Sequence, residues 1–296
     1  MESRNCDIIM GYSCNNNCMH CIRQDNDRCF NLASEEIIKL MDEAKSRGVT
    51  RMVLQGGEPT IRKDFFKILN EASKRFKDVQ VQSNGRMFSY PEFAEKALEK
   101  GATDFCISVH HFREEEHDKF TGAKGSFRQT IKGIKNLVAL EQNVKILFII
   151  TKSNFESLPD MARLLLNLGV KNFQIGVVNP EGGALNRFKE IVPRFSDFQP
   201  YLIEALNVLS EGDANVFTQD IPKCFVPGFE HLILEAILPE AEKLFPDHQV
   251  IDYNKERIRK KGYSEKCRVC EFYFTCEGLY KGYLNEYGDN EIKPKT

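Results

Sequence analysis

Three cysteines near the start of the chain are spaced so that their thiolates could bind one metal centre. Cys14, Cys18 and Cys21 lie in the segment Cys-Asn-Asn-Asn-Cys-Met-His-Cys, whose asparagines readily adopt the turns that a metal-binding loop needs. Three ligands are one fewer than a four-iron cluster normally takes, so one iron would stay open to a non-protein ligand. A zinc site completed by His20 is the alternative, and unrelated core cysteines would not be expected in so polar a loop.

A second group of cysteines lies near the other end of the sequence. Cys267, Cys270 and Cys276 follow a Cys-x2-Cys-x5-Cys pattern, and Cys224 precedes them. Four thiolates would complete either a four-iron cluster or a structural zinc site. The chain has 10 cysteines, and those outside the two groups are Cys6, Cys29 and Cys106. Because we find no secretory signal at the N-terminus, we interpret the grouped cysteines as metal ligands rather than disulfides.

Polar motifs occur where the predicted strands end. The second strand runs into Gln-Gly56-Gly57-Glu58-Pro59-Thr, in which paired glycines would let a ligand approach the backbone closely. The third strand ends in Ser83-Asn84-Gly. Ligands of parallel-sheet enzymes bind at the carboxyl ends of the strands, so both motifs predict a binding site.

The fourth predicted strand has one polar and one apolar face. Asp104, Cys106, Ser108 and His110 alternate with apolar residues, which predicts that the polar set points into a barrel lumen. His110 would then stand at the barrel mouth. The fifth strand, near 144–151, is predicted to be buried on both faces.

The cysteine loop and the Gly-Gly-Glu-Pro element together resemble the radical S-adenosylmethionine (radical SAM) superfamily, whose cluster loop reads Cys-x3-Cys-x-Φ-Cys. The position Φ, usually aromatic, is His20 here. The resemblance implies that Cys14, Cys18 and Cys21 bind a [4Fe-4S] cluster whose open iron takes S-adenosylmethionine.

The same resemblance implies further cofactor contacts, namely Gly56, Gly57, Glu58 and Pro59 at the amino group, Ser83, Asn84, Ser108 and Asn154 at strand ends, and Val177 and Val178 beside the adenine. His110 is the candidate catalytic residue. Many relatives bind the cofactor carboxylate with an arginine where this chain has Thr121. Lys119, Lys124 or Arg128 would have to replace it.

The C-terminal cysteines resemble the Twitch domain, which is related to the longer SPASM domain. This resemblance implies a second, auxiliary [4Fe-4S] cluster held by Cys224, Cys267, Cys270 and Cys276, with structural zinc as the alternative. A fully ligated second cluster would suit electron transfer, for example accepting the electron left on a product radical.

The elements that must position these residues alternate in type along the chain. Strands are predicted near 6–11, 50–55, 78–83, 103–109, 144–151 and 171–178, and helices near 34–47, 63–76, 90–100, 126–140 and 157–167. This βα rhythm predicts an α/β fold with a partial, open (β/α)6 TIM-like barrel over residues 1–190. We expect a small α+β cluster-binding domain over 191–287, which includes a helix near 196–211 and a strand at 215–218, and a flexible tail over 288–296.

Composition limits the partners that the chain is expected to have. The 296 residues carry a formal net charge of −2 and 42% hydrophobic residues, which gives no argument for nucleic acid or an anionic membrane. The longest strongly apolar run is too short to span a bilayer. We therefore expect a cytoplasmic protein.

The implied reaction is hydrogen abstraction by a 5′-deoxyadenosyl radical. Peptide or protein modification is the preferred function, with a small-molecule radical dehydrogenase as the alternative. A non-catalytic iron–sulfur electron carrier is a third hypothesis, although a carrier has no need of a cofactor amino site. Expected partners are the substrate and a reductant such as flavodoxin or ferredoxin.

Overall fold

The computed structural model describes residues 4–234 and 240–296. The strands of the main sheet are β1 (Asn5–Ile9), β2 (Arg51–Gln55), β3 (Asp78–Ser83), β4 (Asp104–Ser108), β5 (Val144–Ile150), β6 (Asn172–Val177), β7 (Asn215–Gln219), β8 (Ala241–Leu244) and β9 (Val250–Asp252). A separate antiparallel pair consists of β10 (Lys261–Gly262) and β11 (Leu279–Tyr280).

Helices follow most of the strands. They are α1 (Ser34–Ser46), α2 (Phe65–Arg75), α3 (Pro91–Glu99), α4 (Glu114–Thr121), α5 (Ser126–Ala139), α6 (Leu158–Asn167), α7 (Gly183–Asn186), α8 (Phe188–Ile191), α9 (Phe195–Glu211), α10 (Tyr253–Arg259) and α11 (Lys281–Tyr287). Within the described ranges, no helix is both long and apolar enough to cross a membrane.

The main sheet is open and largely parallel. Its strand order is β7-β6-β5-β4-β3-β2-β1-β8-β9, in which the first six strands are neighbours in sequence order and only β9 is antiparallel. The predicted partial barrel fold is confirmed, because six consecutive parallel strands connected through helices form its centre. The sheet is longer than expected, since β7 and β8 add parallel strands beside β6 and β1.

Strands β7 and β8 come from the segment that we assigned to a separate C-terminal domain. They pair with the barrel sheet, so the division at residue 190 stays a prediction. Residues 288–296 were expected to form a flexible tail, but here they pack on the body. Ile292 is buried, and the Glu291 carboxylate accepts a hydrogen bond from the Ser196 backbone amide at 2.8 Å. The polar composition of this segment favours a tail without contacts, and it does not reveal which residues of the body the tail would contact.

The two faces of the sheet differ in burial. Along β5, Val144, Ile146, Phe148 and Ile150 are buried under the helices, whereas the residues between them are only half-buried. The expectation that β5 is buried on both faces is therefore wrong. Lys145 lies on this half-buried face. We call it the lumen face, because the face away from the helices turns inward in a partial barrel.

Candidate functional site

The N-terminal cysteine loop follows β1 at the carboxyl end of the sheet. Cys14, Cys18 and Cys21 are all half-buried. Burial and, to a smaller extent, the neighbouring charges of Cys14 and Cys21 raise the pKa of the Cys18 thiol to about 12. The three sulfurs are thus close enough to repel one another as thiolates. A bound cationic cluster would reverse this effect by stabilising the thiolates, so the donor set fits such a group.

Two arginine side chains outside the loop, one close in sequence and one remote, hold it in place. The Arg86 guanidinium donates to the Asn15 carbonyl at 2.5 Å and to the Asn16 side chain at 2.8 Å. Arg28 donates to the Cys14 carbonyl and to the Asn17 side chain, both at 2.8 Å. Charged donors of this kind form strong hydrogen bonds. Sequence reasoning missed both arginines, which look like ordinary surface charges.

Helix α4 supports the loop from another side. The Asn17 amide donates to the Thr121 carbonyl at 2.6 Å, and the Met19 amide donates to the Phe120 carbonyl at 3.3 Å. Gly122 ends the helix with a φ of 60°, and a Cβ there would lie 2.9 Å from the Asn17 carbonyl oxygen. The loop therefore packs against the exposed carbonyls of a helix C-terminus.

Thr121, at the position where the resemblance led us to expect an arginine, packs inside the protein. The Thr121 side chain is fully buried and its hydroxyl is 2.7 Å from that of Ser126. Of the proposed substitutes, Arg128 pairs with Glu114 at 2.8 Å, whereas Lys119 and Lys124 are exposed. Which residue binds the cofactor carboxylate stays a prediction.

The Gly-Gly-Glu-Pro element lies directly against the chain that enters the cysteine loop. The Gly57 amide donates to the Gly11 carbonyl at 2.8 Å, and the Glu58 amide donates to the Ser13 carbonyl at 2.7 Å. A Cβ on Gly57 would lie 2.2 Å from the Ser13 oxygen, and one on Gly56 would lie 2.6 Å from the Gly11 oxygen. The close approach that requires these glycines is thus made by the neighbouring loop.

The Glu58 carboxylate connects two of the predicted cofactor-binding segments, its own turn and the end of β3. It is buried and accepts hydrogen bonds from Ser83 Oγ at 2.8 Å, the Asn84 amide at 2.7 Å and Thr60 Oγ1 at 2.5 Å. Burial raises its pKa, and these hydrogen bonds oppose the rise. Its oxygens are therefore engaged by the chain, whereas we had interpreted Glu58 as a direct contact to the cofactor amino group. Pro59 begins the short turn that follows.

Asn84 and Asn154 play comparable positioning roles. The Asn84 side chain donates to the Asn15 side chain at 2.7 Å, which links the end of β3 to the cysteine loop. Asn154 is buried, donates to the His110 carbonyl at 3.2 Å and to the Ile149 carbonyl at 2.9 Å, and accepts from the Thr151 amide. The ends of β4 and β5 are therefore joined through Asn154.

The remaining predicted contacts lie around the lumen and the core. Ser108 is half-buried on the lumen face of β4. Val177 and Val178 are both buried within the hydrophobic core. Their proposed contacts with the cofactor stay predictions.

His110 lies in a buried aromatic group rather than at an open mouth. Its ring stacks on Phe120 with centroids 4.5 Å apart, and it lies 5.1 Å from His20 and 5.8 Å from His117. Burial, and then the nearby histidines, lower its pKa well below the usual value, so it is neutral at pH 7. The centre of the His20 ring lies 4.8 Å from that of Phe120, so His20 belongs to the same aromatic group.

The C-terminal cysteines form a second site. Cys224, Cys267, Cys270 and Cys276 line one small cavity. Burial and, to a smaller extent, the charges of the other three cysteines raise the pKa of the Cys224 thiol to about 12. The Gly278 amide lies 3.4 Å from Cys276 Sγ, in position to donate to a thiolate. Four gathered thiols fit a fully ligated cluster.

Neither site has the geometry of a single-ion centre. Across the described parts of the chain, no three His, Cys, Asp or Glu side chains are placed to hold one metal ion. A four-iron cluster places each cysteine on a different iron, so its thiols need not converge on one point.

Comparisons with known proteins agree with this geometry. The chain matches the family model described as Radical SAM superfamily over residues 8–177. It is 29% identical over 171 residues to the AdoMet-dependent heme synthase of Methanosarcina barkeri, covering 57% of this chain and 49% of that protein. It is 27% identical to the probable GTP 3′,8-cyclase of Saccharolobus islandicus, covering 80% of this chain and 75% of that protein.

Two further comparisons involve maturation proteins and solved structures. The chain is 29% identical to the mycofactocin maturase MftC of Mycobacterium ulcerans, covering 62% of this chain and 49% of that protein. The chain thus spans about half the length of two of these relatives. The crystal structure of Streptococcus suis SuiB bound to precursor peptide SuiA superposes with a TM-score of 0.71 at 14% identity, covering 96% of this chain and 73% of that one. With the family model matching more than half of its length, the chain belongs to the radical SAM superfamily.

Proposed function

We propose that the chain is a radical SAM enzyme that modifies a peptide or protein. Cys14, Cys18 and Cys21 would hold a [4Fe-4S] cluster with one iron open for S-adenosylmethionine. When bound, these groups supply a 5′-deoxyadenosyl radical that removes hydrogen from a substrate carbon. Because such a radical reacts with water and side chains, the lumen and its C-terminal covering would have to enclose it.

The observation that carries the proposal is that the loop with three half-buried cysteines lies directly against the Gly-Gly-Glu-Pro turn. Arg28 and Arg86 fix the loop that presents the thiols. Glu58 fixes the turn relative to the end of β3. These contacts preorganise a site at the carboxyl ends of the strands, where parallel-sheet enzymes bind ligands. An electron carrier would not need this second element.

We also propose that Cys224, Cys267, Cys270 and Cys276 hold an auxiliary [4Fe-4S] cluster in a Twitch-like segment. Their common cavity supports this assignment. The cluster would accept the electron left on the product, and flavodoxin or ferredoxin would reduce the first cluster. His110, neutral and packed against Phe120, would support the loop through His20 rather than transfer protons.

Peptide modification is supported by similarity to a mycofactocin maturase and, at the level of fold, to a protein crystallised with a precursor peptide. The alternative is a small-molecule radical reaction. It is supported by the probable GTP 3′,8-cyclase, which aligns over a larger share of both chains. A neighbouring gene for a short precursor would favour the peptide substrate.

Cofactor cleavage tests the proposed function. Reconstituted and reduced protein should bind S-adenosylmethionine and release 5′-deoxyadenosine slowly without substrate. Replacing Cys14, Cys18 and Cys21 together by Ala should abolish the release. Replacing the single, exposed Cys29 by Ala is the matched control and should leave it unchanged. A fully loaded wild-type protein that neither binds nor cleaves the cofactor would favour the electron carrier.

A further inference from the structure

The lumen face of the sheet carries three cationic side chains around one carboxylate. Asp7 on β1 accepts a hydrogen bond from Gln55 Nε2 at 2.7 Å. Lys243 on β8 is its register partner. Arg23, which follows the cysteine loop, reaches the group through Gln55, to which it also donates at 3.3 Å. Lys145 on β5 lies on the same face of the sheet as Asp7, by the registers of β1 through β5. Burial raises the pKa of Asp7, and Lys243, Arg23 and Lys145 oppose that rise in this order.

The three cations have little compensation from their immediate neighbours. Arg23 donates to two neutral oxygens, the Gly56 carbonyl and the Gln55 side chain, both at 3.3 Å. The Lys243 ammonium lies 3.8 Å from the centre of the Tyr253 ring. The Lys145 ammonium forms no hydrogen bond or ion pair with any residue that the structure describes. The lumen therefore holds cations whose donors are available to a ligand.

Other acidic side chains near this group already have cationic partners. The pairs are Glu181 with Lys260 at 2.5 Å, Asp220 with Lys261 at 2.7 Å and Asp104 with Arg51 at 2.5 Å. Three cations against the single Asp7 carboxylate leave an excess of positive charge. Lys145 and Lys243 are half-buried, so solvent reaches them. Positive groups inside a concave, low-dielectric wall attract anions strongly.

We propose that Lys145, Lys243 and Arg23 bind an oxyanion, a carboxylate or a phosphate, carried by the substrate. The inference rests on the proposed function, because it takes the lumen to be the substrate site. A peptide would present an acidic side chain or its C-terminal carboxylate, and a small molecule would present a carboxylate or phosphate. Asp7 limits the affinity by repelling the anion and keeps the cations in place.

Calorimetric titration of the reconstituted full chain, with S-adenosylmethionine saturating, tests this site. The probes are inorganic phosphate and succinate, each at low and high salt. One of them should bind at a single site that salt weakens. Replacing Lys145 and Lys243 together by Met should weaken binding by about tenfold or more. Lys39→Met, an exposed lysine on α1, is the control and should not change it.

The direction in which a further variant changes anion affinity separates binding from a merely structural effect. Asp7→Asn removes the repelling charge and should tighten anion binding by a few-fold, about the effect of one partly screened charge. Phosphate binding alone would identify a phosphorylated substrate, and succinate binding would identify a carboxylate. Absence of binding by both probes, loss of binding when S-adenosylmethionine is added, or equal weakening in Lys39→Met would overturn the inference.

The same titration keeps this inference separate from the proposed function. Protein that binds S-adenosylmethionine but neither anion retains the radical SAM function and loses only the oxyanion site. Protein that binds the anion but not the cofactor loses the proposed function. Circular dichroism melting of each variant verifies that the lumen substitutions leave the fold intact.

Discussion

The N-terminal cysteine loop and the C-terminal cysteine cavity differ in what surrounds their thiols. The loop is held by polar contacts from the barrel, chiefly Arg28 and Arg86. The cavity has walls that include Pro222, Phe272 and Leu279. Hydrogen-bond donors around the first site fix the backbone that carries three thiols, one fewer than a fully ligated four-iron cluster takes. The second site gathers four ligands in an apolar enclosure, which suits a closed centre.

The two sites also differ in how they depend on the rest of the chain. Cys14, Cys18 and Cys21 lie in one loop, so their spacing is set locally. Cys224 is far from the other three in sequence, and a buried ion-pair network joins their segments. Lys261 contacts Asp220 at 2.7 Å and Glu277 at 2.9 Å. The second centre should therefore contribute more to holding the covering segment in place, because it closes a long loop.

The largest expected effect comes from removing one ligand of the cavity. Cys276→Ala should lose the second cluster, about four of about eight irons per chain, because the cavity has no spare cysteine. It should still release 5′-deoxyadenosine but should not complete substrate oxidation. Iron analysis, thermal melting, deoxyadenosine yield and product are measured on one preparation.

The outcomes of this experiment separate the redox and structural roles of the second cluster. Normal product from folded Cys276→Ala lacking the cluster would eliminate the electron-acceptor role. If the variant lost its thermal melting transition, its 5′-deoxyadenosine release and its product formation together, the second cluster would have a structural role instead. Cys29→Ala should behave as the wild type.

A smaller effect is expected when the polar support of the N-terminal loop is removed. Arg86→Met deletes charged hydrogen bonds to Asn15 and Asn16, and should cost roughly 1.5–3 kcal/mol of unfolding free energy. It should also accelerate iron loss from the first cluster to a chelator, without changing the second.

The matched control is Arg163→Met, which removes exposed ion pairs with Asp160 and Glu204 at 3.1 and 2.7 Å. Exposed pairs contribute about 0–1 kcal/mol, so little change is expected. Equal iron loss from both clusters in Arg86→Met would contradict a local role for this arginine.

Glu58→Gln tests whether the turn beside the N-terminal cysteine loop depends on internal hydrogen bonds of the Glu58 carboxylate. The amide would place a donor against Ser83, Asn84 or Thr60, so the cofactor-free protein should lose roughly 1–3 kcal/mol of stability. Chemical denaturation without cofactor measures this directly. Unchanged stability of the cofactor-free protein combined with weaker S-adenosylmethionine binding would instead support the original interpretation, a direct charge contact to the cofactor.

The sequence predicted those features that depend on local patterns. Six parallel strands lie close to the positions predicted from the alternation of β-rich and helical segments and from helix-capping residues. The spacing of both cysteine groups indicated two sites. Strand β8 was missed because Ala-Glu-Lys-Leu favours a helix, and pairing with β1 overrides that preference. Helix α4 was missed because its mostly charged sequence lacks apolar periodicity.

Long-range contacts could not be predicted from the same patterns. Arg86 and Asn15 are 71 positions apart, and nothing local marks either as a partner. That the Glu58 carboxylate accepts hydrogen bonds from Ser83 and Asn84 could be seen only once the structure placed these residues. The expected place of His110 at the barrel mouth was wrong because alternation gives the face of a strand but not the packing of α4 over it.

The central claim is that the first centre has an open iron and the second does not. Electron paramagnetic resonance of the reduced protein, with and without S-adenosylmethionine, tests it most directly. In protein with Cys224, Cys267, Cys270 and Cys276 replaced by Ala, the cofactor should shift the remaining signal. In protein with Cys14, Cys18 and Cys21 replaced by Ala, it should leave the remaining signal unchanged. A cofactor-dependent shift in this second variant, or none in the first, would contradict the account.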